Sequence, residues 1–317
     1  MRKIMIIGAS GFVGTHLIRR RAADGNCRIV AVDIKQPRER LPGVEYVTHD
    51  VRDLSSLSGH DDVDMIYNLA AVHTTPGHEF WEYYDTNVRG ATQTVAYARI
   101  HGVKHIVFTS SISVYGPSEE QKDENSVPAP TSAYGWSKLL AEDVFREWLA
   151  ATVGAKLLIV RPAVVFGHGE GGNFTRLAKL LRRGVFVYPG RRDTVKASIY
   201  VKDLIRYIDA MWARSGDYAL FNAAYAERYQ LQEVVGRLKH YFPAARELTL
   251  APSVMITAAR LIGMLPNNIG IHPERILKLM NSTNVYPKTL AEAGLLDEDP
   301  LPRALEDWRA ESLGAFT

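Results

Sequence analysis

Cysteine is almost missing: Cys27 stands alone among 317 residues. No internal disulfide can form and no cysteine-based metal centre can be assembled, which fits a reducing compartment. Runs of five like charges do not occur, and the net charge of +3 comes from Lys and Arg scattered among Asp and Glu. A nucleic-acid tail is therefore excluded, while an anionic small-molecule substrate remains compatible with the weakly basic balance. Long apolar runs are missing too, and none approaches the roughly 20 residues of a membrane span. The opening Met1-Arg2-Lys3 leads through Ile4-Met5-Ile6-Ile7 straight into a glycine turn, so it reads as a first strand and not a leader. These absences point to a cytoplasmic protein. What is present is ordinary for a globular chain, with 46% apolar and 23% charged residues, in a length that suits one large core or two unequal lobes.

Short apolar runs at 4–7, 28–33, 65–69, 105–110 and 156–160 alternate with segments of helical period at 12–23, 85–100 and 133–150. Near-continuous apolar strands alternating with helices predict a doubly wound, Rossmann-like parallel sheet of the α/β class. Further short strands at 198–201 and 220–222 flank a helix from 202 to about 212. Beyond Gly167 the rhythm weakens. A loop at 169–172 precedes a basic helix at 174–183, and then Pro243, Pro252, Pro266, Pro273 and Pro287 punctuate short helices. The division expected is a main domain of residues 1–166 plus 197–224 and a smaller mixed α/β lobe of residues 167–196 plus 225–317. The apolar stretch 248–265, with Met255, Ile256, Leu261 and Ile262, is assigned to packing of that lobe in preference to a membrane-surface role or a pocket for an apolar substrate such as a sterol, for which it is too short and too weakly basic.

Between the first strand and first helix lies Gly8-Ala9-Ser10-Gly11-Phe12-Val13-Gly14. A dinucleotide pyrophosphate needs close backbone approach and the positive end of a helix beneath it. Gly8 and Gly11 allow the turn, Gly14 lets the helix pack on the strand, and Ser10, Phe12 and Val13 complete the candidate cradle. The spacing is G-x-x-G-x-x-G, one residue longer at its start than the usual dinucleotide fingerprint. Asp33 closes the second strand, where a carboxylate accepts hydrogen bonds from an adenine-ribose diol and repels a 2′-phosphate. NAD is thus favoured over NADP, with Lys35 and Arg38 nearby as partial offsets.

Tyr134 and Lys138 are four residues apart, hence on one face of a helix. A phenol with an ordinary pKa near 10 is a poor base at neutral pH, and a fixed ammonium beside it brings it into range. Thr109-Ser110-Ser111 places hydroxyls at a strand's carboxyl end, where ligands bind in open α/β sheets.

Taken together, Gly8-x-x-Gly11-x-x-Gly14, Asp50-Val51, Asn68-Leu69-Ala70-Ala71, Tyr84-Asp85-Thr86-Asn87-Val88-x-Gly90, Ser110-Ser111-x-x-Val114-Tyr115-Gly116 and Tyr134/Lys138 resemble the extended short-chain dehydrogenase/reductase family, nearest to its nucleotide-sugar epimerases and 4-ketoreductases. The resemblance covers nearly the whole chain. It implies that Ser111 hydrogen-bonds the reacting oxygen, that Tyr134 exchanges its proton, and that Lys138 holds the nicotinamide ribose and lowers the tyrosine's pKa. Asn87 matches an asparagine that helps position this end of the site. Asp50 and Val51 match adenine contacts; Leu69, Ala70, Ala71 and His73 match the cofactor-lining loop; Pro162 and Val165 lie in the segment beside the nicotinamide.

Departures from the family's patterns narrow the chemistry. Ile112 and Ser113 stand where sugar 4,6-dehydratases carry an Asp-Glu pair, which argues against elimination of water. Val164 replaces the asparagine of UDP-galactose-type epimerases. Asn173, in Gly172-Asn173-Phe174-Thr175-Arg176, resembles an asparagine that backs a diphosphate, and Arg176, Ser113 and Lys196 join it as substrate candidates. Many nucleotide-sugar members carry arginine at the position of Lys196; lysine keeps the charge and loses the two-pronged contact. The function expected is an NAD(H)-dependent 4-epimerase or 4-ketoreductase acting on a nucleotide-sugar. Two alternatives stand beside it: a 3-beta-hydroxysteroid-type or other small-alcohol dehydrogenase, and a non-catalytic dinucleotide sensor. A homodimer through the helices at 85–100 and 133–150 is a further expectation from the resemblance.

Overall fold

The computed structural model describes residues 1–74, 77–263 and 273–317, with side chains described outside 258–275. The strands are β1 (Arg2–Ile7), β2 (Cys27–Asp33), β3 (Val44–Thr48), β4 (Met65–Asn68), β5 (His105–Thr109), β6 (Ser118–Lys122), β7 (Lys156–Pro162), β8 (Val164–Phe166), β9 (Val185–Pro189), β10 (Ser198–Tyr200), β11 (Tyr218–Ala223), β12 (Arg246–Leu250) and β13 (Thr283–Val285). The helices are α1 (Phe12–Asp24), α2 (Phe80–Ile100), α3 (Ala133–Ala151), α4 (Asn173–Arg182), α5 (Val201–Arg214), α6 (Leu231–Lys239), α7 (Pro252–Gly263), α8 (Pro273–Met280), α9 (Lys288–Glu292) and α10 (Leu301–Glu311). Among the described residues, no helix is long and apolar enough to cross a membrane.

Seven strands form one parallel sheet in the order β11-β7-β5-β4-β1-β2-β3. The period of two decides its layers. Ile4, Ile6, Ile29, Ala31, Val107 and Leu158 face one core with Leu17 and Ile18 of α1 and Leu204 and Ile208 of α5. Their neighbours Met5, Ile7, Val30, Val32, Ile106 and Leu157 face the other, with Val95 of α2 and Phe145 and Trp148 of α3. Burial on both faces explains the near-continuous apolar runs of these strands. The fold is the expected doubly wound α/β sheet.

The boundaries depart from expectation in instructive places. α2 begins at Phe80, ahead of the expected 85, because Glu79 and Glu82 form a capping box that satisfies the helix's first amides. β3 was not legible, since it is an edge strand with a single neighbour and a half-polar sequence. Three two-stranded ladders sit apart from the main sheet: β8 with β10, β9 with β12, and β6 with β13. The last joins segments on either side of the division drawn above. Leu248, Leu250 and Val254 do not pack into the lobe; they are exposed. The side chains of Leu261 and Ile262, and residues Leu265 and Pro266, lie outside what the structure describes.

Candidate active site

In the turn after β1, Gly8 has φ +82°, and a Cβ there would lie 2.6 Å from the Ala70 amide nitrogen at the end of β4. A Cβ on Gly14 would lie 2.3 Å from Gly8 O, so any larger residue would push α1 off the turn. Gly11 caps α1 with no side-chain acceptor, which leaves the helix's first amides free for an anion. Asp33 ties this turn down. Its carboxylate accepts from Ser10 N at 2.9 Å and Lys35 N at 2.8 Å, while Ser10 Oγ donates to Lys35 O at 2.9 Å. Phe12 and Val13 are half-buried at the helix start. Side-chain-free backbone and uncapped amides, with a carboxylate at the next strand's end, fit a dinucleotide.

The cleft continues at the carboxyl ends of β3 and β4, on either side of β1, and the strand order reverses between β1 and β4. Asp50 is gripped by the Arg52 guanidinium at 2.6–3.1 Å and by its backbone N–H at 2.9 Å, and these bonds hold its carboxyl below the usual range. Arg52 also reaches Asp85 of α2 at 2.8 Å. Val51 is buried against Gly90, where a Cβ would come within 3.0 Å of its Cγ1. Leu69 bonds back to Ile7 O, Ala70 and Ala71 are half-buried, and His73 is exposed. Pro162 and Val165 are half-buried where β7 gives way to β8.

The Ser132 hydroxyl caps α3 by accepting from Gly135 N at 3.1 Å. Gly135 then lets the helix touch the preceding loop, because a Cβ there would lie 2.5 Å from Ser113 O. That approach sets Tyr134 beside the loop that carries Ser111. Ser111 Oγ also bonds Ser113 Oγ and accepts from Ser113 N, both at 3.1 Å. Tyr134 is half-buried with the Tyr83 ring 6.3 Å away; burial pushes its phenol up, and the neighbouring Ser111 hydroxyl opposes this. One turn on, Lys138 is buried, its ammonium 2.7 Å from Thr109 O and 4.7 Å from the Phe108 ring centroid. Burial pulls that ammonium down to about 7, against the pull of Glu142.

Asn87 does not reach Tyr134 or Ser111. Its amide accepts from Val72 N at 2.9 Å and donates to Val72 O at 3.1 Å and Ser137 Oγ at 2.9 Å, stitching the 70–73 loop to α3. It touches the site through other residues.

The substrate candidates are less gathered. Asn173 and Arg176 are exposed on the first turn of α4, where Glu170 already accepts from Thr175 N at 3.0 Å. Lys196 turns its ammonium onto Lys278 O at 2.6 Å and Asn281 O at 2.5 Å, tying down the turn between α8 and β13; burial pulls it down to about 8. Arg191 pairs with Glu119 and Asp193, and Arg192 stacks on Tyr188.

Sequence reasoning missed the group behind Lys138. Glu142 accepts from Arg161 at 2.7 and 2.8 Å, from Arg146 at 2.6 Å and from Ser110 Oγ at 2.5 Å. Arg161 Nη1 also donates to Tyr115 Oη at 2.7 Å, which donates to Asn222 Oδ1 at 2.9 Å. The one signal available was the four-residue step from Lys138 to Glu142, which puts both on one face of α3.

A cleft of this build places the protein among dinucleotide-binding enzymes of the doubly wound α/β class. The chain belongs to the NAD dependent epimerase/dehydratase family, whose model matches residues 4–224, and it spans less than two thirds of the length of the first of the relatives below. It is 38% identical over 210 residues to the N-acetyl-alpha-D-glucosaminyl-diphospho-ditrans,octacis-undecaprenol 4-epimerase of Escherichia coli O157:H7, covering 65% of this chain and 61% of that protein's length. It is 24% identical over 333 residues to the dTDP-4-dehydro-6-deoxy-D-allose reductase of a Streptomyces species, covering 96% and 94%. In fold it is similar to the UDP-glucose 4-epimerase of Thermotoga maritima, with a TM-score of 0.77 at 18% identity over 98% and 99% of the two chains.

Proposed function

We propose that this enzyme interconverts the C4 hydroxyl and C4 ketone of a sugar carried on a diphosphate, as a 4-epimerase or 4-ketoreductase. The observation that carries the reading is the placement of Tyr134 one turn before the buried Lys138 on α3, with Gly135 packed against the Ser111–Ser113 loop at the carboxyl end of β5. Both curated relatives described above are named for chemistry at position 4.

Bound NAD supplies a hydride acceptor and, once reduced, a donor. The chain does the rest. Ser111 Oγ, held by Ser113, donates to the sugar oxygen and fixes its place. The Tyr134 phenolate takes the hydroxyl proton during oxidation and returns it during reduction. The buried Lys138 ammonium favours that phenolate and would hold the nicotinamide ribose. Asn87 keeps the cofactor-lining loop against α3.

The diphosphate is read onto the α4 side of the cleft, where Asn173 and Arg176 are exposed. Its other half is a nucleoside in the first reading. A second reading puts a polyprenol there, and is supported by the 38% identical relative, whose name specifies a diphospho-undecaprenol. Incubation with UDP-N-acetylglucosamine, with dTDP-4-keto sugars plus NADH, and with a polyprenyl-diphosphate sugar separates these cases. Turnover of a sterol or simple alcohol with none of the three would sink the proposal, and NAD binding with no turnover at all would favour a sensor.

A homodimer through α2 and α3 is part of the same proposal. Those helices expose Trp81, Tyr84, Trp136 and Leu140, a set of large apolar side chains that a second copy would cover. Sedimentation at a monomer's mass would overturn it.

A further inference from the structure

Leu248, Leu250 and Val254 lie on the surface, with arginines nearby. β12 runs parallel to β9, with Arg246 opposite Val185, Leu248 opposite Val187 and Leu250 opposite Pro189. Alternate residues share a face, so Arg246, Leu248 and Leu250 line one side of the ladder with Val185. Phe186 and Tyr188 are buried on the other side, where Glu247 accepts from the Tyr188 hydroxyl at 2.9 Å. Leu248 is 48% exposed, Leu250 41% and Val254, on the first turn of α7, 54%.

This ladder starts where α4 stops, because Arg246 N donates to Gly184 O at 2.9 Å. α4 contains no acidic residue, and its exposed residues are Asn173, Arg176, Lys179, Leu180 and Arg182, three of them cationic, as is Arg183 at its cap. Arg182, Arg183 and Arg246 have no carboxylate partner among the described residues, unlike Arg191 and Arg192 farther along the chain. A strip of exposed aliphatic side chains edged by unpaired guanidiniums, with the one nearby carboxylate turned inward, has the chemistry of a surface that meets anionic lipid.

We propose that the β12–α7 face, with the arginines at the end of α4, docks the enzyme on an anionic phospholipid bilayer. Leu248, Leu250 and Val254 enter the headgroup region while Arg182, Arg183 and Arg246 pair with lipid phosphates. Docking leaves the dinucleotide cleft in water, since the glycine turn lies at the carboxyl ends of the main sheet and not on this ladder. It would also bring the enzyme to a sugar diphosphate whose carrier is itself a lipid, which is the second of the two substrate readings.

Flotation of the full chain with phosphatidylglycerol/phosphatidylcholine vesicles, and with phosphatidylcholine vesicles alone, tests this without any turnover. A failed substrate assignment therefore leaves the result intact, and the reverse. The protein should float with the anionic vesicles and fall away from the neutral ones. Arg182→Gln, Arg183→Gln and Arg246→Gln combined should weaken binding on the order of a hundredfold, at about fivefold for each charge removed. Leu248→Ser, Leu250→Ser and Val254→Ser combined should abolish the binding that survives high salt. These side chains are exposed, so unchanged melting and NAD affinity certify both variants; if the serine variant fails that check, the glutamine variant alone decides. No flotation with anionic vesicles, or equal flotation of the glutamine variant, would overturn the proposal. So would a serine variant that merely lost self-association, which would make the face an interface between copies.

Discussion

Glu142 and Arg161 form an ion pair closed to solvent, at 0% and 3% exposure, with two hydrogen bonds of 2.7 and 2.8 Å. It lies one helical turn beyond Lys138 and places a carboxylate where it supports the lysine's charge. Breaking one side of such a pair strands the other charge in a dry site, at a cost of about 3–5 kcal/mol. Glu142→Gln should therefore lower the denaturant midpoint sharply, and Glu142→Gln with Arg161→Met should recover part of the loss. A double variant no more stable than Glu142→Gln alone would contradict this.

Lys138 makes stability depend on pH in a definite direction. Its ammonium titrates at about 7 in the folded protein and near 10.5 when free. Between those values the unfolded chain holds a proton that the folded chain has released, so stability rises as pH rises through the window. Below about 7 both states are protonated and the cost of the buried charge is present in full. Lys138→Met should flatten this rise in the cofactor-free protein. Lys196 contributes in the same sense, so the difference between wild type and variant is what isolates Lys138. Parallel melting curves from pH 7 to pH 10 would refute the assignment.

Tyr134→Phe keeps the ring beside Tyr83 and removes only the phenol hydroxyl. Turnover should fall by about 10²–10⁴, the usual worth of a positioned acid or base. NAD affinity, read by calorimetry, should stay within a factor of about three, because the phenol acts on the sugar oxygen. Near-normal activity would move the chemistry to another group.

Asp33→Ala should narrow the preference for NAD over NADP, since it removes both the ribose acceptor and the repulsion of a 2′-phosphate. The same carboxylate anchors the Ser10 and Lys35 amides, so NAD affinity itself should fall as the turn loosens. Asp33→Asn, which can still accept from an amide, should lose less NAD affinity than Asp33→Ala. Tighter binding of NADPH to the unmodified protein would reverse the cofactor assignment.

Local chemistry was written in the sequence wherever period or a single residue type decides the outcome. Near-continuous apolar runs marked the strands of the main sheet, because both of its faces are buried. Gly8 and Gly14 marked the phosphate turn, because a Cβ at either would collide with backbone. The four-residue step between Tyr134 and Lys138 set them on one helical face. Other features depend on residues far apart in the chain. Arg161 meets Glu142 across 19 positions, Lys196 reaches Asn281 across 85, and β6 finds β13. Such partners are chosen by how elements pack and not by spacing, so only the tertiary structure could turn Lys196 onto carbonyls. The same physics left Leu248 and Leu250 exposed: their alternation is that of a strand with one buried face, and which face is buried was decided when β12 paired with β9.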